Sequence, residues 1–101
     1  MIMVKKLPTH PGDVVKEEIE ERNISQKYFA ECLGVSYTML NEILNCKRPV
    51  TCDFALMIEK ALGINSEMLM NMQSRYNMEA AKNQPSLLSR LKKIKPIAAM
   101  Y

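Results

Sequence analysis

The chain has 101 residues, of which 48% are apolar and 25% are charged, a balance typical of one globular domain and not of a disordered chain. No apolar run approaches the ~20 residues that a membrane span needs. The segment Met1–Pro8 places apolar residues before Lys5 and Lys6, the reverse of a signal peptide, so we expect a cytoplasmic protein. The three cysteines form no CxxC pair, which argues against a disulfide framework or zinc site and favours buried or idle thiols.

The net charge of +3 is unevenly distributed along the chain. Residues 82–101 contain five basic residues and no acidic one, so residues 1–81 together carry a charge of −2. The body of the chain is therefore not a general polyanion binder, and any nucleic-acid contact must come from a local patch, from the tail, or from both. We divide the chain into an N-terminal arm (1–9), a folded domain (10–81) and a basic tail (82–101).

Helical spacing of apolar residues recurs along the chain without a convincing strand, which predicts an all-α fold. A first helix is predicted from Pro11 to about Arg22, because proline suits the first helical position. Four further helices are predicted to begin after polar capping residues, which are Ser25, Ser36, Thr51 and Asn65. Two of them are predicted to end at a left-handed glycine, at Gly34 and Gly63.

The tail has a weaker pattern. Residues 83–86 predict a break, followed by one more short amphipathic helix that ends at Pro96 and whose apolar residues are Leu87, Leu88, Leu91 and Ile94. Residues 97–101 are expected to fray. The basic run from Arg90 to Lys95 is open to several interpretations: it suits DNA, an anionic membrane or an acidic partner, or it is only a solvated helix end.

The second and third helices, joined through Gly34, form a tight helix-turn-helix pattern. Ala30 lies four residues before that glycine and lets the two helices cross closely. The third helix has an unusual polar face, made of Tyr37, Thr38, Asn41 and Asn45, with Tyr37, Asn41 and Asn45 nearly in line at i, i+4 and i+8. Short donors and acceptors of this kind suit base edges in a major groove, where asparagine pairs with adenine.

Neighbouring residues suit the DNA backbone. Ser36 and the free N–H groups that open the third helix fit a phosphate oxygen, Lys47 and Arg48 are placed to clamp the backbone, and Gln26 is directed toward the same strand. The alternative is an ordinary surface helix in an all-α bundle.

Several short motifs carry a family resemblance. They are "HPG" at His10, "ISQ" at Ile24, "LGVS" at Leu33, "NEILN-KR" from Asn41, "T-D-AL-I-KALG" from Thr51 and "N-Q--Y" from Asn71. On these motifs the stretch from His10 to about Met78 resembles the HigA antitoxins, also called virulence-associated protein I, within the Xre/Cro-type helix-turn-helix regulators.

The resemblance implies a five-helix, lambda-repressor-like domain that acts as a dimer. It implies repression of the protein's own toxin–antitoxin operon and neutralisation of a RelE-like toxin that cleaves messenger RNA. Family toxins tend to be basic, which would suit the acidic face of the first helix. The residues that would line the DNA are Gln26, Ser36, Tyr37, Thr38, Asn41, Asn45, Lys47 and Arg48.

The chain departs from the family pattern in three places. Cys46 replaces the usual glycine, so either Cys46 or Asn45 is expected to take a left-handed conformation there. The pair Met68-Leu69 replaces two aromatic residues, a change that packing tolerates because methionine fills irregular gaps. The basic tail from Lys82 onward has no counterpart in the pattern.

A single reading helix touches too few bases for useful specificity, so we expect a homodimer on two half-sites ~34 Å apart. Its contacts are placed on the fifth helix and the C-terminal segment, at Met68, Met72, Tyr76, Leu87 and Leu91. The methionines are read as packing residues, in preference to a soft-metal site.

Neither an enzyme nor a cofactor or metal is expected. The one histidine, His10, has no ligand cluster or catalytic partner and is expected to cap or pack at a helix start. Besides the antitoxin, two alternatives stay open: a solitary Xre-type transcriptional regulator without a toxin, and a helix-turn-helix module that binds only proteins.

Overall fold

The computed structural model describes residues 7–98, so residues 1–6, on which the signal-peptide argument rests, and residues 99–101 of the expected frayed end lie outside it. Residues 7–98 form six α-helices and no strand, in agreement with the all-α prediction. The helices are α1 (Pro11–Glu21), α2 (Gln26–Leu33), α3 (Tyr37–Leu44), α4 (Cys52–Leu62), α5 (Ser66–Lys82) and α6 (Pro85–Lys92). Within this range, no helix combines the length and apolarity that a membrane span requires.

The four predicted N-caps are confirmed. In each case a side-chain oxygen accepts a hydrogen bond, 2.8–3.2 Å long, from the backbone N–H three residues further on. A cap of this kind stabilises a helix by about 1 kcal/mol. Gly34 and Gly63 end α2 and α4 with φ angles of 72° and 78°, the left-handed conformation that glycine adopts without steric cost.

His10 caps α1, as predicted. Its Nδ1 accepts a hydrogen bond of 2.9 Å from the backbone N–H of Gly12, and its buried ring meets Tyr76 edge-on at a centroid distance of 4.8 Å. Burial lowers the pKa of His10, and the charge of Asp13 opposes that shift in part. The neutral imidazole is the form that this site needs, because a protonated Nδ1 cannot accept the hydrogen bond.

The core lies where α1 to α5 meet, and α3 runs through its centre. It consists of Val15, Ile19, Phe29, Ala30, Leu40, Ile43, Leu44, Val50, Phe54, Ala55, Ile58, Leu62 and Leu69. Apolar residues at helical spacing supply most of this cluster. Helical spacing with Phe54, Ile58 and Leu62 also predicts an inward position for Ala61 on α4, but Ala61 is exposed. Gln73 on α5 is buried, which the apolar pattern did not indicate.

The tail differs from its prediction at one end. The break and the sixth helix are present, but α6 ends at Lys92, so Ile94 lies beyond the helix with 66% of its surface exposed. The N–H groups of Lys93 and Ile94 close the helix by bonding carbonyls three residues back, and Pro96 disfavours a helical conformation at Lys95. α6 packs against α5, and none of its residues is fully buried.

Gly12 provides a test of how closely α1 approaches α3. A Cβ atom at Gly12 would overlap the backbone carbonyl of Ile43, whereas a Cβ at the left-handed Gly63 would meet open space. We expect Gly12→Ala to lower the free energy of unfolding by about 3 kcal/mol through overpacking, and Gly63→Ala to lower it by only about 1 kcal/mol through backbone strain. Urea denaturation measures both, and equal losses would contradict the close contact.

Candidate nucleic-acid interface

The helix-turn-helix is held by short contacts at the turn. The N–H of Gly34 donates to the carbonyl of Glu31 at 3.2 Å, and the N–H of Val35 donates to that of Ala30 at 3.1 Å. Ala30 is buried at the crossing of α2 and α3, as the sequence indicated. The inner side of α3 is sealed by Leu40, Ile43 and Leu44, so its outer side must face away from the core.

That outer side carries the polar residues that the sequence singled out. The ring of Tyr37 is 52% exposed, Thr38 and Asn45 are exposed, and Asn41 is half-buried. None of these side chains is sealed inside the subunit. The hypothesis that α3 presents a free polar face is therefore consistent with the structure, while the base contacts of each residue stay predictions.

Asn41 is paired with Gln26, a contact that sequence reasoning missed. The Asn41 Nδ2 donates a hydrogen bond of 2.9 Å to the Gln26 Oε1. Gln26, the first residue of α2, thereby fixes the orientation of the Asn41 amide, and its predicted contact with the DNA backbone stays a prediction. The pairing leaves Asn41 Oδ1 and Gln26 Nε2, an acceptor and a donor, for a partner at the surface.

The end of α3 resolves the question of which residue becomes left-handed. Cys46 takes that conformation itself, with φ at 61°, while Asn45 caps the helix with φ at −99°. The alternative that Asn45 would be left-handed is therefore wrong. The Asn45 Nδ2 turns back to donate to the backbone carbonyl of Asn41 at 2.9 Å, so one of its donors is already used, and its predicted contact with bases remains a prediction.

Cys46, which stands where the family pattern has glycine, makes a side-chain contact with α1. The Cys46 Sγ lies 3.3 Å from the Asp13 Oδ1, where the thiol donates to the carboxylate of α1. Burial, together with the hydrogen bond and charge of Asp13, raises the pKa of Cys46 to about 11, so the thiol keeps its proton at neutral pH. All three cysteines are free, but Cys32 and Cys52 are exposed and Cys46 is only half-buried. Of the two predicted alternatives, buried thiols are therefore wrong, and idle thiols stay a prediction.

The residues assigned to the DNA backbone surround this face. The Ser36 Oγ caps α3 by accepting from the N–H of Met39 at 3.0 Å, and its hydroxyl proton is not used in that bond. Lys47 is exposed. The Arg48 Nη2 makes an ion pair of 2.8 Å with Glu42, with both side chains partly exposed. Such exposed pairs contribute little stability, so Arg48 can exchange Glu42 for a phosphate at small cost.

The five residues assigned to a dimer contact differ in how far they are exposed. Met68 and Leu91 are 42% and 49% exposed, and Met72, Tyr76 and Leu87 are half-buried. Tyr76 also makes an edge-to-face contact with His10 of the same chain, an intramolecular role that the sequence did not reveal. Among residues 7–98 no group of three His, Cys, Asp or Glu side chains is placed to hold a metal ion.

Comparison with known proteins identifies the family. A helix-turn-helix family model matches residues 15–69, more than half of the chain. The chain is also 32% identical over 74 residues to virulence-associated protein I of Dichelobacter nodosus, covering 72% of this chain and 68% of that relative. The chain belongs to the Xre-type helix-turn-helix family. Virulence-associated protein I and the HigA proteins are thus its relatives, as the sequence motifs indicated.

Solved structures of HigA proteins share its fold. An addiction module antidote protein of the HigA family from Coxiella burnetii is 28% identical and superimposes with a TM-score of 0.73 over 91% of this chain and 100% of its own. The antitoxin HigA of Pseudomonas aeruginosa, solved with the higBA promoter, is 27% identical, with a TM-score of 0.76 over 90% of this chain and 99% of its own.

The raised pKa of Cys46 predicts slow alkylation. Since the thiolate is the reactive form, we expect iodoacetamide at pH 8 to modify Cys46 much more slowly than the exposed Cys32 and Cys52, with the rate at Cys46 still rising toward about pH 11. Mass spectrometry of peptides after timed quenching measures each site. Labelling of Cys46 as fast as of Cys32 would contradict its contact with Asp13, and labelling of urea-unfolded protein gives the reference rates.

Proposed function

We propose that this protein is a DNA-binding antitoxin that represses its own operon and neutralises a RelE-like, messenger-RNA-cleaving toxin, with no catalytic activity of its own. The observation that carries the proposal is the free polar face of α3, with Asn41 oriented by Gln26. The same fold is present in the Pseudomonas aeruginosa antitoxin solved with its promoter, which supports a duplex as the ligand.

The proposed base contact follows from the chemistry of the asparagine amide. Adenine presents an N6 donor and an N7 acceptor in the major groove. The Asn41 Oδ1 accepts from N6, and the Nδ2 hydrogen that is not bonded to Gln26 donates to N7. Because Gln26 holds the amide in place before DNA arrives, less side-chain freedom is lost on binding.

The proposed backbone contacts flank the reading face. Ser36 and the first N–H groups of α3 bind one phosphate, and Lys47 and Arg48 bind phosphates beyond the other end of the helix. These contacts make binding depend on salt, because each neutralised phosphate releases counterions. Since one α3 reads only a few base pairs, two subunits bind together, with half-sites ~34 Å apart.

The proposed toxin contact is supported by charge. Glu17, Glu20 and Glu21 are exposed on α1. They therefore take no part in the buried contact between α1 and α3. Residues 1–81 carry a net negative charge despite the basic residues beside α3, so a basic toxin is attracted to the surface that DNA does not occupy.

Replacing Asn41 tests the DNA-binding proposal. We expect Asn41→Ala to weaken binding to the duplex upstream of the gene by ten-fold or more, since a bidentate adenine contact is worth ~1–3 kcal/mol of discrimination. Its binding to a scrambled duplex should change little, because phosphate contacts remain. Fluorescence anisotropy at a fixed salt concentration measures both affinities.

Asn83→Ala provides a matched control, because Asn83 caps the distant end of α5. Circular dichroism checks that both variants fold. Equal affinities of Asn41→Ala and the native protein for the upstream duplex would contradict a reading role for α3, and would favour a module that binds only proteins. Saturation at one protomer per duplex, in place of two, would contradict the dimer.

The toxin is tested through the neighbouring gene. We expect an adjacent open reading frame for a small basic RelE-like protein, and co-expression should yield a complex that survives size-exclusion chromatography. A variant with Glu17, Glu20 and Glu21 changed to glutamine should weaken this complex. If the neighbouring gene encodes no such protein, the antitoxin proposal fails, and a solitary transcriptional regulator takes its place.

A further inference from the structure

Gln73 on α5 is a buried polar side chain, and both the oxygen and the nitrogen of its amide make hydrogen bonds. Only 3% of its surface is exposed. Its Oε1 accepts a hydrogen bond of 2.7 Å from the backbone N–H of Val50, and its Nε2 donates one of 2.9 Å to the Asn77 Oδ1. The second bond orients the amide so that its oxygen faces Val50.

Val50 lies at the end of the loop that joins α3 to α4, here called the clamp loop (residues 45–51), which carries Lys47 and Arg48. The N–H of Lys47 bonds back to the carbonyl of Glu42 at 2.8 Å, and Pro49 has no N–H to donate. The hydrogen bond from the N–H of Val50 to Gln73 therefore fixes the C-terminal part of the loop to α5. The N-terminal part of the loop is fixed to α1 by the hydrogen bond between Cys46 and Asp13.

A pocket beside the clamp loop indicates why the hydrogen bond between Val50 and Gln73 matters. A pocket of about 180 Å³ lies between the loop and α5, and its lining includes His10, Cys46, Lys47, Arg48, Gln73 and Tyr76. A loop that lost its bond to Gln73 would have room to shift toward this pocket. Such a shift would move the two basic residues relative to the reading face of α3.

We infer that Gln73 is a positioning residue that sets the phosphate contacts of Lys47 and Arg48, without itself touching DNA. This inference rests on the proposed DNA-binding function. Because α3 is held separately by its buried apolar residues, losing the Gln73 bond should weaken binding to every duplex alike and should leave the discrimination between sequences intact.

Two substitutions separate the acceptor atom from the bulk of the side chain. Gln73→Met keeps an unbranched chain of similar length but leaves the N–H of Val50 without an acceptor. Gln73→Glu keeps an oxygen in the place of Oε1, and the Asn77 amide can rotate to donate to its other oxygen. Because its added charge lies in the pocket that Lys47 and Arg48 line, this variant is compared by hydrogen exchange and not by the salt slope. Full-length dimeric protein is titrated with the upstream duplex and a scrambled duplex at several salt concentrations.

For Gln73→Met we expect the slope of log K against log salt to become shallower by about 2 to 4, because up to four phosphate contacts in two subunits each contribute ~0.9. The ratio of specific to scrambled binding should be unchanged. A merely structural defect lowers the amount of active protein and leaves the slope as it was. Hydrogen exchange of the Val50 amide should accelerate in Gln73→Met and not in Gln73→Glu.

A native slope in Gln73→Met, or exchange of the Val50 amide in Gln73→Glu as fast as in Gln73→Met, would overturn the inference. If Gln73→Met does not fold, Asn77→Ala serves in its place, because Asn77 is exposed and its loss frees only the orientation of the Gln73 amide. Faster exchange of Val50 and a shallower slope support the inference there, and native values of both overturn it. If the native protein shows no salt-dependent binding to DNA, the proposed function fails, and exchange at Val50 alone decides whether Gln73 holds the loop.

Discussion

Burial of the inner side of α3 is the constraint on which the rest of the structure depends. Leu40, Ile43 and Leu44 are almost completely buried in the core, where α3 packs against α1 and α2, and each contributes roughly 1.5–3 kcal/mol by leaving water. A helix of eight residues is too short to be stable alone, so this burial both forms α3 and fixes its rotation. The polar side must then face outward, where Asn41 meets Gln26.

Contacts around α3 and the loop that follows it fix their positions more closely than burial alone does. Gly12 admits the backbone of Ile43 so closely that α1 cannot carry a side chain there. The Cys46 thiol joins the end of α3 to Asp13, and Gln73 joins the following loop to α5. The outer side of α3 and the basic residues beside it are thus held by different contacts. On the proposed function, affinity and sequence discrimination should therefore be separable by substitution.

Much of the fold could be predicted from local chemistry. The caps at Ser25, Ser36, Thr51 and Asn65 and the left-handed glycines are local signals, and all of them are confirmed. The end of α6 was misplaced because none of its residues is fully buried, so packing does little to set its length. The pairs Gln26–Asn41, Asp13–Cys46 and Gln73–Val50 join residues 15, 33 and 23 positions apart, and no periodicity in one sequence encodes such contacts.

The central claim is that the outer side of α3 enters a duplex, and mapping of backbone amide shifts by nuclear magnetic resonance tests it most directly. On addition of the upstream duplex, we expect the largest shifts at residues 36–41 and in the clamp loop. We expect little change in the groove between α4 and α5 that Ala55, Leu56 and Met70 help to line. Shifts centred on that groove or on α6, with residues 36–41 unmoved, would contradict the account.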